Sequence, residues 1–593
     1  MSYDPERITF FAKTDARGKN VPFGIKAKDR SRHVYVIGKT GMGKSTLLEN
    51  MAVQDIRNGE GLAFIDPHGQ TAETLLDYIP PERMKDVLYF APHDMEHPVS
   101  FNVMEDVGAD KRHLVVSGLM SVFEKIWVDA WSARMAYILQ NTLMALLEYP
   151  GATLLGVNRM LSDKNYRKKV VDNITDPSVK SFWMDEFAKY NERYMQEAGD
   201  AIKNKIGQFT ANPLIRNIIG QPKSSFDIRQ IMDERKILIM NLSKGLIGET
   251  NANLLGSMLT TRIYLAAMSR ADMPVDLIQK MPNFYFYVDE FQSFANSTFA
   301  NILSEARKYK LNLTIAHQYI EQMEEDVRNA VFGNVGTTIA FRVGPFDAEI
   351  LETVFAPKFM AVDLVNLGFA QVYLTLMIDG IGSSPFSATT LSPLLRPEGS
   401  QRDAIIEQSR IQFAKPRAVI EQAINEWHAP LPDESSDKRH PKEGDKPRPV
   451  VERKPAMSIV PPAPPVNTPP KTFTPRTERQ ESSHVPTKQS SVREVRPAFD
   501  KTKNLDELRA VLKNLSKDDQ EPAKETPLEA QPNDLKSALS SVMAAANEKV
   551  LESKPPSPSP SATEEGSEDD DTLDPKKLER MMRVKTDDRT PLR

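Results

Sequence analysis

The stretch His33–Met51, "HVYVIGKTGMGKSTLLENM", decides the fold of this chain. "HVYVIG" is a short β-branched and aromatic run of the kind that makes a buried strand. "KSTLLENMAVQDIRNG" carries apolar residues at helical spacing and ends at Asn58-Gly59, a helix-stopping pair. Between them, Gly38–Ser45 reads "GKTGMGKS" and fits G-x-x-x-x-G-K-[ST] in full. Strand, glycine-rich loop and helix in that order form a phosphate cradle. The glycines let backbone N–H groups turn inward around a β-phosphate, Lys44 brings positive charge to the β and γ oxygens, and the Ser45 hydroxyl is a ligand for Mg2+. Gly38, Lys39, Thr40, Gly41, Met42, Gly43, Lys44, Ser45 and Thr46 are therefore the expected ATP-binding loop. The alternative is a glycine-rich turn that binds nothing.

A nucleotide-driven machine needs a second element, an acidic pair at the end of a buried strand. "FYFYVDEFQSF" supplies it. Asp289 is the expected Mg2+ partner, directly or through water, and Glu290 the base that polarises the attacking water. Carboxylates that merely cap the following turn are the alternative. The next apolar run, "LNLTIAHQ", ends in Gln318, a candidate γ-phosphate sensor whose alternative is a locally bonded loop amide. Arg342 in "TTIAFRVGPFDAE" is placed to act as an arginine finger on a neighbouring subunit's phosphate, with structural ion pairing as the alternative. Asp66 and His68 in "FIDPHGQ" read as turn-formers, and no metal is assigned to them.

Further strand-sized runs are "GLAFIDP", "DVLYFAP", "RKILIMNL" and "QVYLTLMID", with helical patterns such as "STFANILSEARKYK" between many of them. This alternation predicts an α/β domain with a mostly parallel sheet. It stops after about Met104 and resumes near Arg235, and the intervening sequence has helical periodicity throughout. The expected organisation is an ATPase domain in two segments, 20–105 and 235–395, split by an inserted all-α domain over 106–234. A helical linker over 396–430 and a Pro-rich tail over 431–593 follow.

More than half of the 43 prolines lie past Pro430, where Phe473 and Phe499 are the only aromatic residues. Such a segment buries too little apolar surface to fold alone and is expected to be disordered. Three short helical patterns in it, including "NLDELRAVLKNL" with Leu505, Leu508, Leu512 and Leu515 in one stripe, are candidate docking motifs for protein partners.

The 593 residues contain no cysteine, which excludes disulfides and Cys-ligated zinc and fits a cytoplasmic protein. The start "MSYDPERITFFAKTDARGKN" lacks the apolar stretch of a signal peptide, and no run reaches the length of a membrane span. Direct membrane insertion is not expected. The net charge of −5 rules out a generic polycation but leaves room for a basic channel. Lys164, Arg167, Lys168, Lys169, Lys203 and Lys205 are basic positions that fit either phosphate contact or a solvated helix face.

Taken together, "IGKTGMGKST", "FIDPHG", "HPVSFNVM", "FYVDEFQSF", "ARKYKLNLTIAHQ" and "FGNVGTTIAFRV" resemble the HerA/FtsK superfamily of pumping ATPases, and within it the TraD/TraG-like coupling proteins of type IV secretion and conjugation. The resemblance covers residues 20–395, the helical insertion included. It implies a RecA-like fold, a homo-hexamer with ATP sites between neighbours, and DNA threaded through the central channel. It supports Lys44 and Ser45 for phosphate and Mg2+, Asp289 and Glu290 for hydrolysis, and Gln318 as sensor, with Arg307 competing with Arg342 for the finger. Coupling proteins commonly carry an N-terminal membrane anchor, whereas this sequence begins almost directly with its catalytic domain, so a soluble relative is expected. Gln70 stands where similar sequences often continue with an acidic residue.

The function expected is an ATP-dependent DNA translocase. The alternatives are a HerA-like motor working with a nuclease at DNA ends, and a recruitment protein in which the nucleotide only switches conformation.

Overall fold

The computed structural model describes residues 3–105 and 107–429. The tail over 431–593, its expected disorder and its three helical patterns lie outside the described residues. Among the described residues thirteen strands occur in chain order: β1 (Ile8–Thr14), β2 (Pro22–Lys26), β3 (Val34–Ile37), β4 (Gly61–Asp66), β5 (Val87–Phe90), β6 (Ile237–Asn241), β7 (Phe284–Val288), β8 (Leu311–His317), β9 (Thr337–Ala340), β10 (Gln371–Thr375), β11 (Met377–Ile378), β12 (Ile381–Gly382) and β13 (Phe386–Thr390).

Eleven of them form one sheet in the order β2-β1-β13-β10-β9-β3-β8-β7-β4-β6-β5. The seven from β9 to β5 run parallel, and β10, β13, β1 and β2 continue antiparallel on one side. Every residue of β3, β4, β6, β7 and β8 is buried, as expected of parallel strands covered by helices on both faces. This is the RecA-like α/β core that the resemblance implied. The phosphate-loop strand β3 is separated from the acidic strand β7 by β8, which is followed directly by Gln318.

Between β5 and β6 every element among the described residues is a helix, with α-helices from Arg112–Ile126 to Ile228–Asp233. The apolar core runs without a break from one face of the sheet, through Leu88, Phe101 and Phe286, into Phe123, Leu143, Trp183 and Phe209 of this insertion. The insertion therefore shares its interior with the catalytic sheet. The opposite face carries a second core, in which Leu47, Met51 and Ile56 of the helix Lys44–Arg57 pack on Val36, Phe64 and Tyr287.

The structure differs from the sequence reading at two edges. The sheet begins at Ile8, ahead of residue 20, because the half-buried β1 pairs antiparallel with both β2 and β13. "QVYLTLMID" is also not one strand. β10 ends at Thr375, and the chain folds into the small β11–β12 hairpin through Asp379 and Gly380, both at positive φ.

The region 396–429 contains two helices, Arg402–Phe413 and Arg417–His428, that pack as a strap. The first is tied to the outer strand by Tyr89 N–H donating to Ser409 Oγ at 2.9 Å and by Arg410 to Asp94 at 2.7 Å. The second rests on the insertion, where Ile420 and Ile424 pack with Leu155. There Arg159, with rings of Tyr166 and Trp427 each 4.9 Å from its guanidinium, donates to the carbonyls of Trp427 and Ala429. Among the described residues no helix is long and apolar enough to cross a membrane.

Candidate active site

Parallel register brings the expected residues together. Ile37 is level with His317 on one side and Ala340 on the other, and Val288 is level with Ile65 and Ile315. Gly38, Asp66, Asp289, Gln318 and Arg342 therefore all leave the sheet at one edge, outside the carboxyl ends of the strands, where α/β sheets bind ligands.

The loop Gly38–Gly43 is sewn to its neighbours. Gly38 N–H donates to the His317 carbonyl at 3.2 Å and Lys39 N–H to the Arg342 carbonyl at 2.8 Å. A Cβ on Gly38 would stand 2.5 Å from that of Phe341, so no larger residue fits. Gly43 has φ +112°, a left-handed conformation costly for any side chain, and from it the helix Lys44–Arg57 starts. Lys44 is buried and donates to the Gly38 carbonyl at 2.7 Å and the Lys39 carbonyl at 3.2 Å. Burial lowers its pKa, while Glu290 and Asp289 act to raise it.

The carboxylates face this loop. Ser45 Oγ donates to Asp289 Oδ2 at 2.8 Å. The two meet across 244 positions of sequence and offer the hard oxygen donors that Mg2+ takes alongside phosphate oxygens. The donor set thus fits a magnesium nucleotide. Burial, with the Glu290 charge adding, pushes Asp289 up to about 6. Glu290 is different: burial raises it, but the nearby His68 and hydrogen bonds from Gln318 and Gln292 outweigh that and hold it down to about 2. It adopts φ +48°, a strained conformation for a non-glycine residue.

Gln318 joins the halves of the site, accepting from Thr40 Oγ1 at 2.9 Å and donating to Glu290 Oε1. Arg342 follows the end of β9 beside the loop of its own chain. Its side chain makes no hydrogen bond or ion pair among the described residues, so structural ion pairing does not account for it. Arg307 is exposed at the opposite edge of the sheet, before β8, and adds to the pull that keeps the buried His33 down at about 4.

Asp66 has the turn role assigned to it, accepting from the N–H groups of His68 and Ala72 at 2.8 and 2.9 Å. His68, set aside in the sequence, comes within 3.9 Å of Glu290. Gln292, also unread, donates to Glu290 Oε2 at 2.5 Å. No sequence signal marks either one. Among the basic positions, Arg167 is committed locally to the Met160 carbonyl at 2.8 Å, and Lys203 pairs with Asp200 at 2.6 Å.

A RecA-like core with a complete phosphate loop facing an acidic pair defines a P-loop NTPase. Residues 14–263 match the family described as helicase HerA, central domain, and residues 283–354 match the TraM recognition site of TraD and TraG. The two matches bear out the resemblance to HerA/FtsK-type coupling ATPases that the sequence carries.

None of the curated proteins compared matches significantly. Solved structures similar to the chain include the bacterial conjugative coupling protein TrwBdeltaN70, at 14% identity and TM-score 0.48 over 66% of this chain and 90% of that one. TrwB in complex with ADP and Mg2+ is 13% identical, with TM-score 0.46 over 66% and 91%. VirB4 of Thermoanaerobacter pseudethanolicus is 12% identical, with TM-score 0.44 over 66% and 98%.

Proposed function

We propose that the protein is an ATPase that couples hydrolysis to translocation of DNA, working as a homo-hexamer. The observation that carries the reading is the relay Thr40–Gln318–Glu290 beside the Ser45–Asp289 contact, which ties the phosphate loop to the acidic pair at two points. The matches to the HerA central domain and to the TraM recognition site of TraD and TraG support the DNA substrate.

In this reading the inward N–H groups of the loop and Lys44 hold the phosphates of ATP, while Ser45 and Asp289 hold Mg2+. The bound metal neutralises charge on the phosphate oxygens. Glu290 stays ionised and orients the attacking water. With its pKa held low it acts chiefly by position and charge, and takes up a proton only as its donors let go. Gln318 is one such donor. When it turns from Glu290 toward the γ-phosphate it frees Oε1 for the water, so sensing and activation are one movement. Arg342 is assigned to the phosphate charge. Opening and closing of subunit interfaces then moves loops along a DNA backbone, with grip that does not depend on sequence.

The test is ATP turnover by wild type and Glu290→Gln with no DNA, single-stranded DNA and duplex DNA across a salt series. Stimulation in wild type and none in the variant supports the reading. DNA-independent turnover, or nucleotide binding without turnover, replaces it with a recruitment protein switched by nucleotide. The HerA central-domain match over 14–263 favours one second reading, a motor at DNA ends, which predicts stimulation by blunt duplex ends above that by closed circles.

A further inference from the structure

Lys125 lies near the end of the helix Arg112–Ile126 in the insertion, 164 positions before Asp289 in sequence, and is half-buried against the loop that follows the acidic pair. Its ammonium donates to the Gln292 carbonyl at 2.7 Å and to the Ala295 carbonyl. It makes no ion pair among the described residues. One of these carbonyls lies within the turn Phe291–Ser293 and the other two residues after it, and the side chain of the same Gln292 donates to Glu290. Glu290 itself sits at φ +48°, a conformation that persists only where its surroundings over-determine it. One cation from the insertion thus restrains the segment whose first residue orients water.

We propose that Lys125 is a positioning residue through which the helical insertion holds the Glu290 loop in its hydrolytic conformation, so that displacement of the insertion changes turnover at the phosphate loop. The inference rests on the ATPase reading above. It extends that reading by making the insertion a regulator of the chemistry. The core is continuous between insertion and sheet, so a tilt of the helix Arg112–Ile126 has no slack in which to be lost. Burial brings the Lys125 ammonium down to about 8, with Glu324 opposing and Lys244 adding to the shift. A mildly alkaline medium therefore weakens the clamp.

The experiment compares full-length wild type, Lys125→Met and Lys125→Arg. It reads kcat, KM for ATP, thermal midpoint and amide hydrogen exchange of residues 290–296. Lys125→Met is expected to lower kcat about 10- to 100-fold, the scale of an ångström-sized misplacement, with KM little changed. Exchange is expected to rise over 290–296 and stay unchanged over 38–46. Lys125→Arg keeps turnover at neutral pH and holds it at about pH 9, where the wild type declines. Wild-type kcat and exchange in Lys125→Met overturn the proposal. So does a loss of kcat that tracks KM and thermal midpoint together, which marks a merely structural lysine. If wild type shows no turnover that Glu290→Gln removes, the ATPase reading fails by itself, and exchange over 290–296 still decides whether Lys125 holds the loop.

Discussion

Gln318 donates its side-chain amide to the Glu290 carboxylate while its carbonyl oxygen accepts from Thr40 in the phosphate loop. One amide thus reads both sides of the site. Gln318→Ala is expected to leave ATP affinity within about threefold and to reduce kcat about 10- to 1,000-fold, the range for loss of a polar group acting in the transition state. Equilibrium binding of a fluorescent ATP analogue beside steady-state turnover checks the split. A parallel loss of affinity would make Gln318 a simple binding residue.

The 2.8 Å contact between Ser45 and Asp289 predicts a metal phenotype. Ser45→Ala and Asp289→Asn should each raise the Mg2+ concentration for half-maximal turnover about tenfold or more, since removing a partner of a metal site costs 10- to 100-fold in affinity or activity. Titration of turnover with MgCl2 at fixed ATP is the measurement. An unchanged midpoint would remove both residues from the metal assignment.

Arg342 lies against its own chain's loop and Arg307 at the far edge of the sheet. Arg342→Ala is expected to lower kcat by about 10³-fold, within the range of an arginine finger, without moving the thermal midpoint, because its side chain has no bond to lose among the described residues. Doping the variant into wild-type protein decides where it acts. Activity falling in proportion to the variant fraction places it in its own site, and a steeper fall places it in a neighbour's.

Beneath the sheet Arg30 binds Asp55 through two contacts of 2.7 and 2.9 Å, Tyr287 OH donates to Asp55 at 2.5 Å, and the guanidinium stacks 3.7 Å from the Tyr285 ring. Removing one partner leaves a buried charge alone. Asp55→Ala should therefore cost about 3–5 kcal/mol in urea unfolding, whereas Arg30→Met with Asp55→Leu should recover part of the loss. Loss in the single variant of less than about 1 kcal/mol would show that water reaches the network.

His33 is buried, with its pKa brought down by burial and by Arg307 to about 4, from an ordinary 6.5. The unfolded chain then binds the proton more readily than the folded one. Stability is whole above about pH 6.5 and falls as pH drops toward 4, by at most about 3 kcal/mol from this residue. Urea midpoints between pH 4 and 7 for wild type and His33→Asn should diverge in sensitivity, the variant showing the shallower dependence. Identical slopes would assign the acid sensitivity to other groups.

The site was legible where its chemistry is written at strand ends. Gly38–Ser45, Asp289, Glu290 and Gln318 each follow a short apolar run, and parallel strands deliver their ends to one edge. His68, Gln292 and Lys125 could not be read this way, because their partners are chosen by packing. The contact from Lys125 to the Gln292 carbonyl spans 167 positions, and nothing in "LMSVFEKIW" announces it. Arg30 lies in "KAKDRSRH", which has the look of a solvated loop, yet the fold closes over it. The antiparallel margin escaped for another reason. β1 and β13 are half-buried and polar along one side, so their apolar signal is weaker than that of the enclosed strands.

The strap has a mechanical meaning. Ala429, where the described structure ends, is held by Arg159, whose helix belongs to the insertion and whose guanidinium is wedged between Tyr166 and Trp427. Tension applied at Ala429 is delivered first to that wedge. It spreads through the helices before it reaches a strand, so a tethered cargo tugs on the lever and not on the engine block.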